Sequence, residues 1–154
     1  MTTPGYPQGH ALLIGVANYQ NVPRLPVAVL NDVQDVAQTL SSPDHCGYSP
    51  VNVVTLLDGQ ATRTAVIEAL EILASKVGPE DTACVYFSGH GAVLDEATFD
   101  SSFLLTVDSD LANLPTTSVK FRGICEGPYK SRIKETAGLC RRMSRRRCLY
   151  QGRR

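Results

Sequence analysis

The stretch that decides the fold is ALLIGVANY, residues 11–19, a nearly uninterrupted apolar run of strand length. A strand with apolar side chains on both faces needs cover on both sides, which is typical of a parallel sheet between helices. Two similar runs follow, VNVVTLL at residues 51–57 and ACVYFS at residues 83–88. The three runs predict three strands of one buried sheet.

The segments between these runs have helical periodicity. In residues 31–40 apolar side chains recur at steps of three and four, and Asp32 and Asp35 suit the first turns of such a helix. The next segment begins at Thr62 or Thr64, either of which can cap a helix. Its predicted apolar face consists of Val66, Leu70, Leu73 and Val77.

Alternation of strand and helix predicts right-handed crossovers and an α/β fold of the doubly wound kind. The expected architecture is a three-layer sandwich with a mainly parallel sheet. SFLLTVD, residues 102–108, is a shorter candidate for a fourth strand.

Charge divides the chain into two parts. Residues 1–120 contain four basic and thirteen acidic residues, whereas residues 121–154 contain eleven basic and two acidic residues. The second part also lacks an apolar run of strand length. We therefore predict one domain over residues 1–120, followed by a basic tail over residues 121–154 that is disordered or aberrant.

Composition also bears on location and cofactors. The N-terminus has no basic segment leading into a long apolar run, and no apolar run is long enough to span a bilayer, so we expect a cytoplasmic protein without membrane contact. Five cysteines at irregular spacing, without a CxxC pair, favour reduced thiols over disulfides or a zinc site. No cofactor or metal is expected, since no dense carboxylate loop identifies a calcium site.

The segment SGHG, residues 88–91, carries the chemistry. Active groups of open parallel sheets collect at the carboxyl ends of the strands, and His90 follows the third predicted strand. The flanking Gly89 and Gly91 allow a sharp turn and close approach of a substrate. An imidazole exchanges protons near neutral pH, so His90 is a candidate general base. His10 and His45 have no comparable setting.

Three segments in order, HALLIGVANY, LPVAVLNDVQDVAQTL and VYFSGHGA, resemble the first half of the caspase-like cysteine peptidases, a group that includes metacaspases. The resemblance covers residues 9–118. It implies that His90 is the base of a Cys/His dyad that hydrolyses peptide bonds in a peptide or protein substrate. It also implies that the Gly91 N–H contributes to an oxyanion hole.

The same resemblance implies a substrate pocket. Metacaspase-like members prefer a basic residue before the cleaved bond, and the acidic residue of the ND pair, which matches Asp32, helps line their pocket with Ser88 nearby. A carboxylate there would bind Lys or Arg through charge-assisted hydrogen bonds. The alternative is that Asp32 only complements the helix dipole.

The nucleophile that the resemblance requires is missing. The family places it in a D-x-C-x-S-G motif after another apolar strand, and the pattern stops after residue 118. Cys140 and Cys148 follow at a tolerable separation but lack the preceding strand, the aspartate and the Ser-Gly. We interpret residues from 121 onward as a replaced or out-of-frame C-terminus, so the sheet would be incomplete on its C-terminal side.

Three functions remain open from the sequence. The first is a caspase-like cysteine endopeptidase. The second is a catalytically inactive module of the same fold that binds partners or peptides. The third is binding of nucleic acid or another polyanion by the arginine-rich tail, which is disfavoured because the tail lacks interleaved aromatic residues and a recognition fold.

Overall fold

A computed structural model describes residues 8–94 and 102–126, and for residues 123, 125 and 126 it describes the backbone alone. Its central element is strand β1, Gly9–Gly15, in which all seven residues are buried. The predicted run extended to residue 19 because Val16, Ala17 and Tyr19 are also buried, although they lie in the loop after the strand. The apolar run therefore predicts which residues are buried, but it is longer than the strand.

Three parallel strands form the main sheet, as the sequence predicts. Strand β2, Val53–Leu57, and strand β3, Thr82–Ser88, lie on either side of β1. The register aligns Gly15 at the end of β1 with Leu57 and with Ser88. The three carboxyl ends therefore meet at one edge of the sheet.

Helix α1, Ala28–Ser41, begins three residues before the predicted start at residue 31. Its N-cap is Val27, directly after Pro26, and no acidic residue lies in its first turn. The expectation that Asp32 and Asp35 occupy the first turns is wrong in this respect. Because dipole effects fade beyond the first turn, the dipole explanation of Asp32 loses its main support.

Helix α2, Arg63–Lys76, begins at the first of its two candidate caps. The Thr62 hydroxyl accepts a hydrogen bond from the Ala65 N–H at 3.2 Å. The predicted apolar face is buried, and its residues are Val66, Leu70, Leu73 and, just past the helix, Val77.

The two helices cover opposite faces of the sheet. Ala11 and Leu13 of β1 lie in one cluster with Val33 of α1. The alternate residues Leu12 and Ile14 lie in the other cluster with α2. This α/β arrangement agrees with the predicted sandwich.

A second sheet is antiparallel, with strand order β4-β5-β6, and was not foreseen. Its strands are β4, Gly91–Val93; β5, Ser102–Leu104; and β6, Val119–Lys120. The candidate strand in residues 102–108 is present as β5, but it covers only Ser102–Leu104 and pairs in this second sheet. Only two residues separate β3 from β4, too few for a parallel crossover, so the chain leaves the first sheet there.

Two short helices complete the described fold, α3, Leu114–Thr117, and α4, Phe121–Glu126. Helix α4 lies just beyond the predicted domain boundary at residue 120. Cys140, Cys148 and the arginine cluster of the predicted tail lie outside the described residues. Within residues 8–94 and 102–126, the helices are all too short or too polar to cross a membrane.

The outer edge of β3 has no partner among the described strands. That the sheet is incomplete on its C-terminal side stays a prediction. The sequence of β3, TACVYFS, contains neither a charge nor a proline that would discourage pairing with another strand.

Asp81 closes the opposite edge of the sheet, where the parallel strands begin. Its carboxylate accepts hydrogen bonds from the Gly78 N–H at 2.8 Å and the Gln8 N–H at 2.9 Å. It also lies 3.4 Å from Nε2 of the buried His10. These hydrogen bonds, with the nearby His10, hold the pKa of Asp81 below its ordinary value of 3.8.

Asp81→Asn is expected to lower stability at neutral pH but not in strong acid. A carboxylate with a lowered pKa stabilises the fold fully above its ordinary pKa, and this contribution is lost as the pH falls through the folded-state value. Urea unfolding midpoints between about pH 7 and about pH 2 should therefore converge for the wild-type chain and the variant.

Asp44→Asn is the matched control because Asp44 makes no hydrogen bond within the described part of the chain. It makes the same charge change and should shift the midpoint little at either pH. A gap between Asp81→Asn and wild type that does not depend on pH would contradict the assignment.

Candidate active site

His90 lies at the carboxyl edge of the parallel sheet, two residues after β3, and the loop that follows β1 holds it in place. The His90 N–H donates to the Tyr19 hydroxyl at 2.7 Å, and the two rings lie 5.0 Å apart between centroids. The His90 Nε2 lies 2.9 Å from the Pro23 carbonyl oxygen. Both the backbone and the ring of His90 are therefore oriented by one loop.

The Pro23 contact selects one tautomer of the neutral imidazole. A carbonyl oxygen only accepts hydrogen bonds, so Nε2 must carry the proton. Nδ1 is then the unprotonated nitrogen, and it is the atom that can take a proton from a nucleophile. This is the arrangement that a general base needs: one ring nitrogen anchored and the other basic.

Gly89 is required by close packing and not by a special turn. A Cβ atom at this position would lie 2.5 Å from the Tyr19 hydroxyl oxygen and 2.9 Å from the Phe87 ring. Neither Gly89 nor Gly91 has a left-handed φ, which among the described glycines only Gly47 adopts. The close neighbours of Gly89 within the fold are Tyr19 and Phe87, and close approach of a substrate stays a prediction.

The Gly91 N–H points away from the antiparallel sheet. Gly91 lies opposite Leu104, and the nearest ladder hydrogen bond runs from the Leu105 N–H to the His90 carbonyl at 3.0 Å. In an antiparallel ladder this makes Gly91 and Leu104 a non-hydrogen-bonded pair, so both direct their N–H groups outward. Gly91 is also exposed, which leaves its N–H available to an incoming group.

Ser88 and Asp32 lie on the same side of the sheet. Alternation along β3 places Ser88 on the face of Cys84 and Tyr86, which α1 covers. Ser88 is paired with Gly15, and the Val33 side chain packs directly against Gly15. Asp32, the residue before Val33, is therefore in the part of α1 nearest this edge.

The Asp32 carboxylate is exposed. Within the described residues it takes part in no hydrogen bond or ion pair. Arg63, at the start of α2, donates instead to the Ser118 carbonyl at 3.1 Å. The Asp32 carboxylate is thus accessible to a cationic group of a bound substrate.

No thiol with a described side chain reaches His90. Cys84 lies four residues before Ser88 in an extended strand, a distance of roughly 13 Å. Burial, with a smaller contribution from Cys46, raises the pKa of the Cys84 thiol, which disfavours the thiolate. Cys46 follows the far end of α1. The described residues also contain no group of three His, Cys, Asp or Glu side chains that could hold a metal ion.

Sequence reasoning overlooked Tyr19, Pro23 and Asp58. Tyr19 was included in an apolar run, and Pro23 and Asp58 were not singled out. Pro23 acts through its backbone carbonyl, which every residue possesses, so no pattern of side chains could have revealed it. A tyrosine at the end of a buried apolar run was a usable signal, because a buried hydroxyl needs a partner.

The parallel sheet, the helices on its two faces and the histidine loop at its carboxyl edge define an α/β domain. The profile of the caspase domain, Peptidase_C14, matches residues 8–124. The chain belongs to this family.

Its relatives include several fungal metacaspases. Metacaspase-1B of Aspergillus terreus is 33% identical over 87 residues, which are 53% of this chain and 22% of the relative. Metacaspase-1 of Debaryomyces hansenii is 31% identical over 96 residues, 58% of this chain and 21% of the relative. Metacaspase-1 of Candida albicans is 34% identical over 92 residues, 56% and 20% respectively. The matched part is about a fifth of the length of these relatives.

Proposed function

We propose that this domain acts in hydrolysis of peptide bonds as a caspase-like cysteine peptidase, with His90 as the general base of a Cys/His dyad. The observation that carries the proposal is the anchored imidazole: Nε2 donates to the Pro23 carbonyl at 2.9 Å, which leaves Nδ1 basic. Membership in the caspase domain family supports the same reading. The dyad also needs a thiolate, which neither Cys46 nor Cys84 supplies at His90. Cys140 and Cys148, which follow His90 at a tolerable separation but lack the family motif, are the candidates in this chain.

Gly91 is proposed as an oxyanion-hole donor. When a thiolate attacks a peptide carbonyl, negative charge develops on the carbonyl oxygen, and a fixed backbone N–H stabilises it. The outward direction of the Gly91 N–H and its position next to His90 support this role. The thiolate would then attack the carbonyl carbon while the Gly91 N–H binds the carbonyl oxygen.

Asp32 and Ser88 are proposed to bind the residue before the cleaved bond. An exposed carboxylate without a cationic partner in the described residues favours Lys or Arg at that position. Ser88 lies on the same face of the sheet and offers a hydroxyl group for a further hydrogen bond.

The function is tested with the purified full chain and three fluorogenic peptides that end in Arg, Lys or Asp. We expect release of the fluorophore from the Arg and Lys peptides and a lower rate for the Asp peptide. An iodoacetamide-treated sample is the control, since alkylation of the thiol should stop turnover. Absence of turnover with all three peptides would overturn the proposal and favour an inactive binding module.

Asp32→Asn should weaken selectivity for basic substrates. Loss of the carboxylate is expected to raise KM for the Arg peptide by about tenfold, as for loss of one charge-assisted hydrogen bond, with a smaller effect on kcat. Asp35→Asn is the matched control, because Asp35 is an exposed carboxylate on the same helix. Equal effects of both substitutions would show that only the overall charge matters and would contradict the pocket assignment.

A further inference from the structure

We infer that Asp58 is a positioning residue for His90 and acts through the loop of residues 16–27, hereafter the β1–α1 loop. The inference rests on the proposed function of His90 but not on any measured turnover. Asp58 does not touch His90. Its carboxylate instead binds the start of the loop whose later residues contact the histidine.

Asp58 gathers three hydrogen bonds from the first residues of this loop. Its Oδ1 accepts from the Ala17 N–H at 2.7 Å and from the Asn18 N–H at 2.9 Å. Its Oδ2 accepts from the Asn18 side-chain amide at 2.7 Å. Although burial raises the pKa of Asp58, these bonds and the charge of Arg24 lower it below the ordinary value, so the carboxylate is ionised at neutral pH.

The bonded segment leads directly to the contacts on His90. Tyr19 follows Asn18, and its hydroxyl accepts from the His90 N–H. Further along, the Leu25 N–H donates to the Ala17 carbonyl at 2.9 Å, which closes the loop around Pro23. The Asp58 carboxylate thus holds Ala17, the residue to which the Leu25 N–H closes the loop. Tyr19 and Pro23, which contact His90, lie between these two residues.

The backbone of Asp58 indicates that the side chain matters at this position. Its φ is +44°, and it is the one non-glycine residue of the described ranges with a positive φ. A glycine would adopt this conformation at lower cost. The carboxylate gives the reason for an aspartate here, since it supplies the three hydrogen bonds that a glycine could not.

A purely structural role for Asp58 and a positioning role lead to different results. If Asp58 only completes the turn after β2, its substitution should lower stability and leave the His90 ring as it is. If it positions His90, substitution should release the Tyr19 and Pro23 contacts. The population of the Nε2–H tautomer should then fall, and the His90 amide should exchange faster with solvent, while the fold remains.

The test compares four proteins: wild type, Asp58→Asn, the double variant Asp58→Asn with Asn18→Asp, and Asp44→Asn. Asp58→Asn retains the shape and an acceptor but places an amide donor against the Asn18 amide. The double variant restores one donor and one acceptor across the same 2.7 Å contact. Asp44→Asn removes one charge from the turn after α1, away from the site.

Long-range proton–nitrogen NMR spectra of the imidazoles report the tautomer, with His10 and His45 as internal references. Amide hydrogen exchange reports the His90 N–H. We expect Asp58→Asn to reduce the Nε2–H signature of His90 and to speed exchange of its amide by about tenfold, as for loss of one hydrogen bond to a charged group. The double variant should recover most of both signals, and Asp44→Asn should match wild type.

An unchanged His90 in folded Asp58→Asn would overturn the inference, as would an equal response of His10 and His45. Failure of the double variant to recover either signal would also count against it. These readouts need no substrate. A chain that cleaves none of the three peptides but shows the His90 response would therefore contradict the proposed function and support the positioning role.

Discussion

His90→Ala is expected to reduce hydrolysis of the Arg peptide by about a thousandfold, within the range that one general base contributes. The reason is that without Nδ1 no group in the described site can remove the proton of the attacking thiol. The fold should survive, because the backbone N–H of residue 90 still reaches the Tyr19 hydroxyl. Initial rates and a thermal unfolding midpoint, measured on the same preparation, separate these two effects.

His45→Ala is the matched control for this loss. His45 is exposed in the turn after α1 and contacts the Ser42 hydroxyl at 3.1 Å, so its loss should leave the rate unchanged. Retention of activity in His90→Ala, or equal losses in both variants, would exclude His90 as the base. Peptide binding without turnover in both wild type and variant would point instead to an inactive module.

Gly89→Ala should cause the largest loss of stability among single-methyl additions at the site. The added Cβ would lie 2.5 Å from the Tyr19 hydroxyl and 2.9 Å from the Phe87 ring, both inside van der Waals contact. Such overpacking should lower the free energy of unfolding by about 2 kcal/mol. Because Tyr19 must move, its hydrogen bond to the His90 N–H should also be lost, which urea unfolding and hydrogen exchange can measure.

Gly59→Ala provides the comparison for this clash. A Cβ at residue 59 meets no atom within 4 Å, and the residue has no left-handed φ, so the free energy of unfolding should change by no more than about 0.5 kcal/mol. Combining Gly89→Ala with Tyr19→Phe removes the nearest atom and should recover part of the stability. Equal costs at residues 59 and 89 would contradict the clash.

The parts of the fold that the sequence predicted correctly are those governed by repeating patterns of burial. The apolar runs around Leu12, Thr55 and Val85 indicate strands, and the apolar face of α2 is the one predicted. Boundaries were less accurate where burial continues past an element, as at Val16, or where a helix starts without a polar cap, as at Val27. Apolar residues indicate burial by neighbouring elements. The ends of strands and helices are set by backbone hydrogen bonds, and burial can continue past them.

The antiparallel sheet could not be predicted in the same way. Its strands contain three, three and two residues, too few for alternation to be recognised. The candidate site was also predictable only in part. His90 was predictable because a histidine between glycines at a strand end is unusual, whereas the contacts of Pro23 and Asp58 depend on the path of a loop that side-chain patterns do not specify.

The central position of β1 also affects how the chain can fold during synthesis. β1 leaves the ribosome before its two partner strands, which begin at residues 53 and 82. Seven consecutive residues that are buried in the finished domain must therefore remain without their neighbours while most of the domain is made. Translation adds of the order of 5–20 residues per second, so this interval lasts several seconds. During that time the nascent strand exposes apolar surface that favours aggregation.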